Sequence, residues 1–280
     1  MARILLTGAT GFVGRAAAQV LKARGNDLRC VVRTGTVGRL VGLGISDEVV
    51  ETPDLFAETS EWWSEVAAET DIVLHAAWYA EPGKYLTSGK NVDCLAGTLR
   101  IAQGVARAGV GRFVGVGTCF EYDLSPGYLT HMTPLDPTTP YAAAKAAAYL
   151  TLREWLPRQG VSFLWARLFY LYGRGEDERR LVSYLHRQLA LGKPVELTRG
   201  EQVRDFMDVR EAARLLVDEL ESTRIGAVNI SSGQGITVRA LAESIADIYD
   251  RRDLLHFGAR PENLTDPPLV VGLRDSGAEA

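Results

Sequence analysis

Arg3-Ile4-Leu5-Leu6-Thr7-Gly8-Ala9-Thr10-Gly11-Phe12-Val13-Gly14 decides the fold of this chain. Arg3 to Thr7 reads as a short apolar strand, and Val13 to Arg24 as the helix that follows it. Between them Gly8, Gly11 and Gly14 recur at three-residue spacing. Glycine there permits a tight turn and lets backbone approach a phosphate closely, while the helix N-terminus favours that anion through its free amides and its dipole. The competing reading is a glycine-rich turn closing any βα unit; the strand before and the helix after weigh against it.

Beyond this unit, short apolar runs keep alternating with helical stretches. Leu28 to Val32, Ile72 to Ala76, Phe113 to Val116 and Val161 to Arg167 read as strands. Asn91 to Ala108 and Tyr141 to Leu156 read as helices, the second opened by Pro140, which suits a first helical turn. The pattern predicts an α/β protein with a doubly wound parallel sheet of the Rossmann type. Past Tyr172-Gly173-Arg174-Gly175 the alternation loosens. Helices at Arg180 to Leu191, Val209 to Glu221 and Val238 to Asp250 mix there with strands at Val195 to Thr198 and Ala227 to Ile230. The expected organisation is a dinucleotide-binding domain over 1–170 and a smaller substrate-binding lobe over 171–280, partly interleaved with the sheet. The tail after Pro267-Pro268 is short and polar and is expected to fray.

Composition narrows the function. The chain has 280 residues, enough for a full core. Its 31 Lys and Arg against 35 Asp and Glu leave a net charge of −4, which supplies no basic footprint for nucleic acid. No apolar run approaches the roughly 18 residues of a membrane helix, and the Ile4 to Leu6 run is too brief for a signal peptide. Cys30, Cys94 and Cys119 form no C-x-x-C pair, which argues against a disulfide framework or a structural zinc site. A cytoplasmic protein is expected. His75 reads as structural, and His131 and His186 stand at no metal-ligand spacing, so no metal site is expected.

The second informative motif is Tyr141-Ala142-Ala143-Ala144-Lys145. Positions i and i+4 share a helix face, so a phenol and an ammonium stand one turn apart. A free phenol titrates near pH 10; a neighbouring cation favours the phenolate and brings it toward a working range for proton transfer. Thr118 ends the run Phe113 to Thr118, just past a strand's C-terminal end, where its hydroxyl is placed to donate to a substrate oxygen. Together the two motifs predict a redox or epimerising enzyme. At the end of the second strand, where NAD sites usually carry an acid, the chain has Arg33, with Arg39 close behind. A guanidinium suits a 2′-phosphate, which favours NADP(H) over NAD(H); a solvated surface arginine is the alternative.

These residues resemble the extended short-chain dehydrogenase/reductase superfamily, in its nucleotide-sugar epimerase, dehydratase and ketoreductase branch. The resemblance spans roughly residues 3 to 245. It implies that Gly8, Thr10, Gly11, Phe12 and Gly14 line the cofactor, together with Asp54, Leu55, Ala76 and Ala77. It assigns catalysis to Thr118, Tyr141 and Lys145, the last two also touching the cofactor. It implies that Arg204, in Arg204-Asp205-Phe206, grips a sugar-nucleotide diphosphate. It further implies a homodimer formed through the helices at Asn91 to Ala108 and Tyr141 to Leu156. The loop Trp78 to Lys90, with Lys84 and Tyr85, is read separately as a contact to the sugar, a solvated loop being the alternative. The chain also departs from the branch. Cys119 and Phe120 stand where 4,6-dehydratases carry an acidic pair, and Tyr170 stands where many members carry Asn. The expectation is an NADP(H)-dependent reductase of a 4-keto deoxysugar nucleotide. An NAD-dependent 4-epimerase, a carbonyl reductase of small ketones and a non-catalytic NADP-binding regulator are the alternatives.

Overall fold

The computed structural model describes residues 1–40, 44–263 and 266–274. Along the chain, β1 (Arg3–Thr7), α1 (Phe12–Ala23), β2 (Asp27–Arg33), β3 (Glu48–Thr52), α2 (Ser60–Val66), β4 (Ile72–His75), α3 (Lys90–Arg107) and β5 (Arg112–Thr118) alternate apart from the step from β2 to β3. Then come β6 (Tyr128–Leu129), α4 (Pro140–Trp155), β7 (Ser162–Leu168), β8 (Tyr170–Tyr172), α5 (Leu181–Ala190), β9 (Val195–Leu197), β10 (Val203–Arg204) and β11 (Phe206–Asp208). The chain continues through α6 (Val209–Glu221), β12 (Gly226–Ile230), β13 (Ile236–Thr237), α7 (Val238–Ile248), β14 (Leu255–Phe257) and β15 (Leu269–Gly272).

The large sheet is parallel and runs β12-β7-β5-β4-β1-β2-β3. Strand order therefore reverses between β1 and β4, and the crevice past their C-terminal ends is where such sheets bind ligands. Side chains alternate across each strand. Ile4 and Leu6 pack on one face with α1 and α6, while Leu5 faces the other with Val73, Phe113 and Trp165 beneath α2, α3 and α4. Each fully buried side chain such as Leu74 or Ile101 contributes about 1.5–3 kcal/mol.

Past β7 a smaller lobe forms its own core, with Leu185 and Leu189 of α5 against Leu241 and Ile245 of α7. The two-stranded sheet β14-β9 gives Val195 and Leu197 to that core, while the four-stranded sheet β13-β10-β15-β6 packs Leu129 and Val270 in a separate cluster with Phe169. The two lobes exchange strands: β12 lies at the edge of the large sheet and β6 at the edge of the small one. The tail expected to fray instead supplies β15, parallel to both β10 and β6. Val270 and Val271 are wholly buried, and burying them stabilises the strand against fraying. Residues 275–280 of that tail lie outside the described residues. Among the described residues no helix is long and apolar enough to cross a membrane.

Candidate active site

The crevice at the β1/β4 switch is built from backbone. Gly8 has φ +82°, and a Cβ there would stand 2.7 Å from the Ala77 amide nitrogen. A Cβ on Gly14 would stand 2.6 Å from the Gly8 carbonyl carbon and closer still to its oxygen. Two bare backbones therefore define the groove, and Gly11, at the N-cap of α1, offers no side chain to the first helical amides. This arrangement fits a pyrophosphate, whose oxygens need exposed N–H groups and a close backbone.

Gly8, Thr10, Gly11, Ala76 and Ala77 wall one cavity of about 390 Å³, whose far end carries Arg33, Asp54 and Leu55. Arg33 is exposed there, with Thr36 and Arg39 on the same wall. The Asp54 carboxylate accepts from the Phe56 amide at 3.0 Å, which fixes the turn after β3. Phe12 and Gly14 line an adjoining cavity of about 600 Å³ together with Thr118, Tyr141 and Lys145. The two cavities share Gly8, Gly11, Ala76 and Trp78 and form one cleft.

His75 underpins this cleft without lining it. Its Nδ1 meets Thr7 Oγ1 at 2.8 Å and its Nε2 meets Thr98 Oγ1 at 3.0 Å. Burial, and secondarily the Lys145 charge, push its pKa down to about 3. The unfolded ring takes up a proton near pH 6.5, so this neutral His75 contributes stability fully above that pH. The contribution falls as pH drops toward 3, by about 1.4 kcal/mol per pH unit. His75→Gln is expected to flatten that slope in urea melts compared between about pH 7 and pH 5. An unchanged slope would assign the acid sensitivity to other groups.

Tyr141 occupies the first turn of α4, where Thr139 caps the helix by accepting from the Ala142 amide at 3.2 Å and Pro140 pre-sets the backbone. The Tyr141 amide also donates to Leu86 O at 3.1 Å, tying the 78–90 loop to the helix. The Tyr85 ring stands edge-on to Tyr141 at 4.8 Å, and Trp78 does so at 6.4 Å. Trp78 is itself fixed by Asn91, whose Oδ1 accepts from the indole N–H at 2.9 Å. Lys145 is buried one turn along α4, its Nζ donating to Val116 O at 2.5 Å. The ammonium lies 3.9 Å from the Trp78 ring centre and 5.6 Å from that of Trp165.

These surroundings set the proton affinities. Burial pushes the Lys145 ammonium down to about 7, against the upward pull of Glu121 and Cys94. Burial also pushes the Tyr141 phenol well above its ordinary value; Tyr85 adds to this, and the Thr118 hydroxyl pulls the other way. The lowering expected from Lys145 is thus not what these side chains supply, because the ammonium is turned to Val116 O and the indoles. A phenol held in its protonated form is suited to giving a proton to an alkoxide.

Two predicted substrate contacts are placed elsewhere. Lys84 is exposed, paired with Glu81 at 2.9 Å, and does not line the cleft. Arg204 is buried at 3% exposure and ion-paired with Asp266 at 2.7 Å. Its guanidinium lies 5.4 Å from the Tyr170 ring centre, and it is Tyr170 that lines the cleft. The cations on its catalytic-residue side include Arg39, Lys145, Arg179 and Arg180, while Arg33 and Lys90 line the other cavity. Arg179 is held by Asp177, and Arg180 stands 5.9 Å from the Tyr85 ring.

Two features escaped the sequence reading. Trp78 reaches Tyr141 and Lys145 through tertiary packing, which no local pattern announces. Glu121, wholly buried beneath Thr118, does have a signal: Thr118-x-x-Glu121 is a capping box, and both of its reciprocal bonds form.

Residues 4–231 match the NAD dependent epimerase/dehydratase family. The chain is 24% identical over 278 residues to a dTDP-6-deoxy-L-talose 4-dehydrogenase (NAD(+)) from Aggregatibacter actinomycetemcomitans, covering 97% of this chain and 99% of that one. Its fold is similar to that of the UDP-N-acetylglucosamine 4-epimerase of Methanobrevibacter ruminantium M1, solved with UDP-N-acetylmuramic acid. The TM-score there is 0.86 at 21% identity, over 98% of this chain and 90% of that one. A dTDP-glucose 4,6-dehydratase from Streptomyces venezuelae with NAD bound gives 0.82 at 22% identity, over 97% and 88%.

Proposed function

The chain belongs to the NAD dependent epimerase/dehydratase family, and from that premise we propose that it is an NADP(H)-dependent reductase of a 4-keto deoxysugar nucleotide. The observation that carries the reading is Arg33, the exposed last residue of β2, at the end of the groove where a ribose-binding acid would stand. A planar guanidinium there meets a 2′-phosphate and gives ribose hydroxyls no acceptor. Gly8, Gly11 and Gly14 would hold the dinucleotide pyrophosphate on backbone, and the bound cofactor supplies the hydride.

The chain's own side chains supply the rest. Thr118 offers its hydroxyl to the carbonyl oxygen, and Tyr141 gives its proton to that oxygen as negative charge develops there. Lys145, whose Nζ is turned to Val116 O and the Trp78 ring, would hold the nicotinamide ribose beside the cleft. Arg180 meets the substrate diphosphate, since Arg204 is already committed to Asp266.

Dehydration is disfavoured by the turn after Thr118. Cys119 is buried, with its thiol pushed up to about 12 by burial and by Glu121. Both oxygens of Glu121 are taken up by N–H donors, so neither residue serves the cleft as an acid. A 4-epimerase is the second reading, since the fold is similar to that of the Methanobrevibacter 4-epimerase.

Cofactor choice separates the two. Titration with NADPH and NADH is expected to show NADPH binding at least about tenfold tighter, a difference of roughly 1.4 kcal/mol, and Arg33→Ala is expected to erase it. The Aggregatibacter relative carries NAD(+) in its name, so the reading requires this chain to differ there. Equal binding of NADH would overturn the reductase reading and favour a 4-epimerase that retains NAD.

A further inference from the structure

Beneath the strand end that carries Thr118 lies a buried charge pair that the proposed reaction does not use directly. Glu121 is 0% exposed and Arg167 is 1% exposed, with Arg167 Nε 2.7 Å from Glu121 Oε2. Glu121 Oε1 accepts from the Thr118 amide at 2.8 Å and from Trp165 Nε1 at 2.9 Å. The carboxylate fits under the sheet only because β5 is bare at Gly117, where a Cβ would stand 2.5 Å from Glu121 Oε1. A strand interior that gives up a side chain marks a close approach of this kind.

A buried ion pair is costly to assemble and is weak evidence of a contribution to stability. Its place here points to another use. The capping box makes the Thr118 hydroxyl oxygen an acceptor of the Phe120 amide at 3.3 Å, which occupies one lone pair and leaves the hydroxyl proton to donate elsewhere. The Trp165 indole that donates to Glu121 is also one of the two rings beside the Lys145 ammonium.

We propose that Glu121 is a positioning residue: its carboxylate holds the Thr118 turn so that the hydroxyl proton is offered to the cleft, and it sets its negative charge toward Lys145 across Trp165. Arg167 holds that carboxylate in register through its Nε, 2.7 Å from Glu121 Oε2. The groups facing Lys145 are Glu121, Cys94 and His75, with Tyr141 one turn away. Of these Glu121 is the acid, and it holds the ammonium up against the effect of burial. The role given to Thr118 rests on the reductase reading; the coupling to Lys145 does not.

The coupling is therefore tested without substrate. A cation close to an indole alters its emission, so Lys145 titration is read as a pH-dependent change in tryptophan fluorescence that is lost in Lys145→Met. Glu121→Gln keeps an acceptor for the Thr118 amide but removes the charge, and is expected to move that midpoint acidward by roughly half a pH unit or more. An unmoved midpoint in a folded variant overturns the coupling.

Orientation is tested by Glu121→Asp, which keeps the charge but shortens the reach to Thr118. The fluorescence midpoint should stay near that of the native protein, and kcat with a 4-keto sugar nucleotide should fall by about tenfold or more, with KM for the cofactor unchanged. In a Thr118→Ala background the same substitution should cost little, because the two residues act through one hydroxyl. Full kcat in Glu121→Asp, or an equal loss in both backgrounds, overturns the orienting role. If Glu121→Gln fails to fold, Glu121→Asp still decides that role. Failure of every keto sugar as substrate would overturn the reductase reading while leaving the fluorescence result standing.

Discussion

Tyr141→Phe is expected to lower kcat by about 10²–10⁴ while leaving cofactor affinity nearly unchanged. The ring contacts that seat the residue are apolar, edge-on to Tyr85 and Trp78, and phenylalanine keeps them. The amide that ties α4 to Leu86 belongs to the backbone and survives the change. The phenolic hydroxyl is lost together with its contact to Thr118, so the loss should appear in kcat and kcat/KM together, with the thermal midpoint close to the native one. Steady-state kinetics with NADPH and a 4-keto sugar nucleotide, beside a cofactor titration, checks this. Near-native kcat in a folded variant would remove Tyr141 from proton transfer and leave Thr118 as the remaining donor.

The second large effect is expected at Gly14. Alanine there places a methyl group against the Gly8 carbonyl, and the obstacle is backbone, which has no rotamer to yield. Relief requires α1 to move away from β1, which opens the groove meant for the pyrophosphate and disturbs the packing of Ala17, Ala18 and Leu21 under the sheet. Overpacking of this kind typically costs about 1–3 kcal/mol. Gly14→Ala is therefore expected to weaken dinucleotide binding by at least about tenfold and to lower the urea midpoint. Gly25→Ala is the control, since a Cβ there meets nothing and its strain at φ +81° is confined to a surface turn. If Gly14→Ala binds cofactor as the native protein does, the close approach of α1 to β1 is not what builds the site.

How much of this was legible follows from how local each signal is. α1, α3 and α4 lie within about a residue of their expected bounds because Ala-rich periodicity, Pro140 and the glycine turn are all local. β3 was not read because Glu48-Val49-Val50-Glu51-Thr52 is an edge strand with one buried residue, too polar for an apolar run. α2 spans seven residues, and the strands of the small sheet are two to four residues long, too short to display a period. In the site, i and i+4 spacing announces Tyr141 and Lys145, whereas the partner of Arg204 lies at Asp266, 62 residues on, and only folding brings it there. Glu121 is readable from its capping box with Thr118, a signal carried by two residues three apart.

The exchange of strands between the two lobes bears on how such a protein can diversify. With β6 given to the small sheet and β12 to the large one, no single crossover in a gene lifts out one lobe whole. A recombinant joining two relatives near residue 170 would have to match β12 of one parent to β7 of the other, where Ala227, Val228 and Ile230 are buried. Replacements on the cleft wall, at positions such as Tyr85, Tyr170 and Arg180, leave this shared frame intact. Lineages descended from it should differ by scattered replacements and loop edits, with few mosaic junctions.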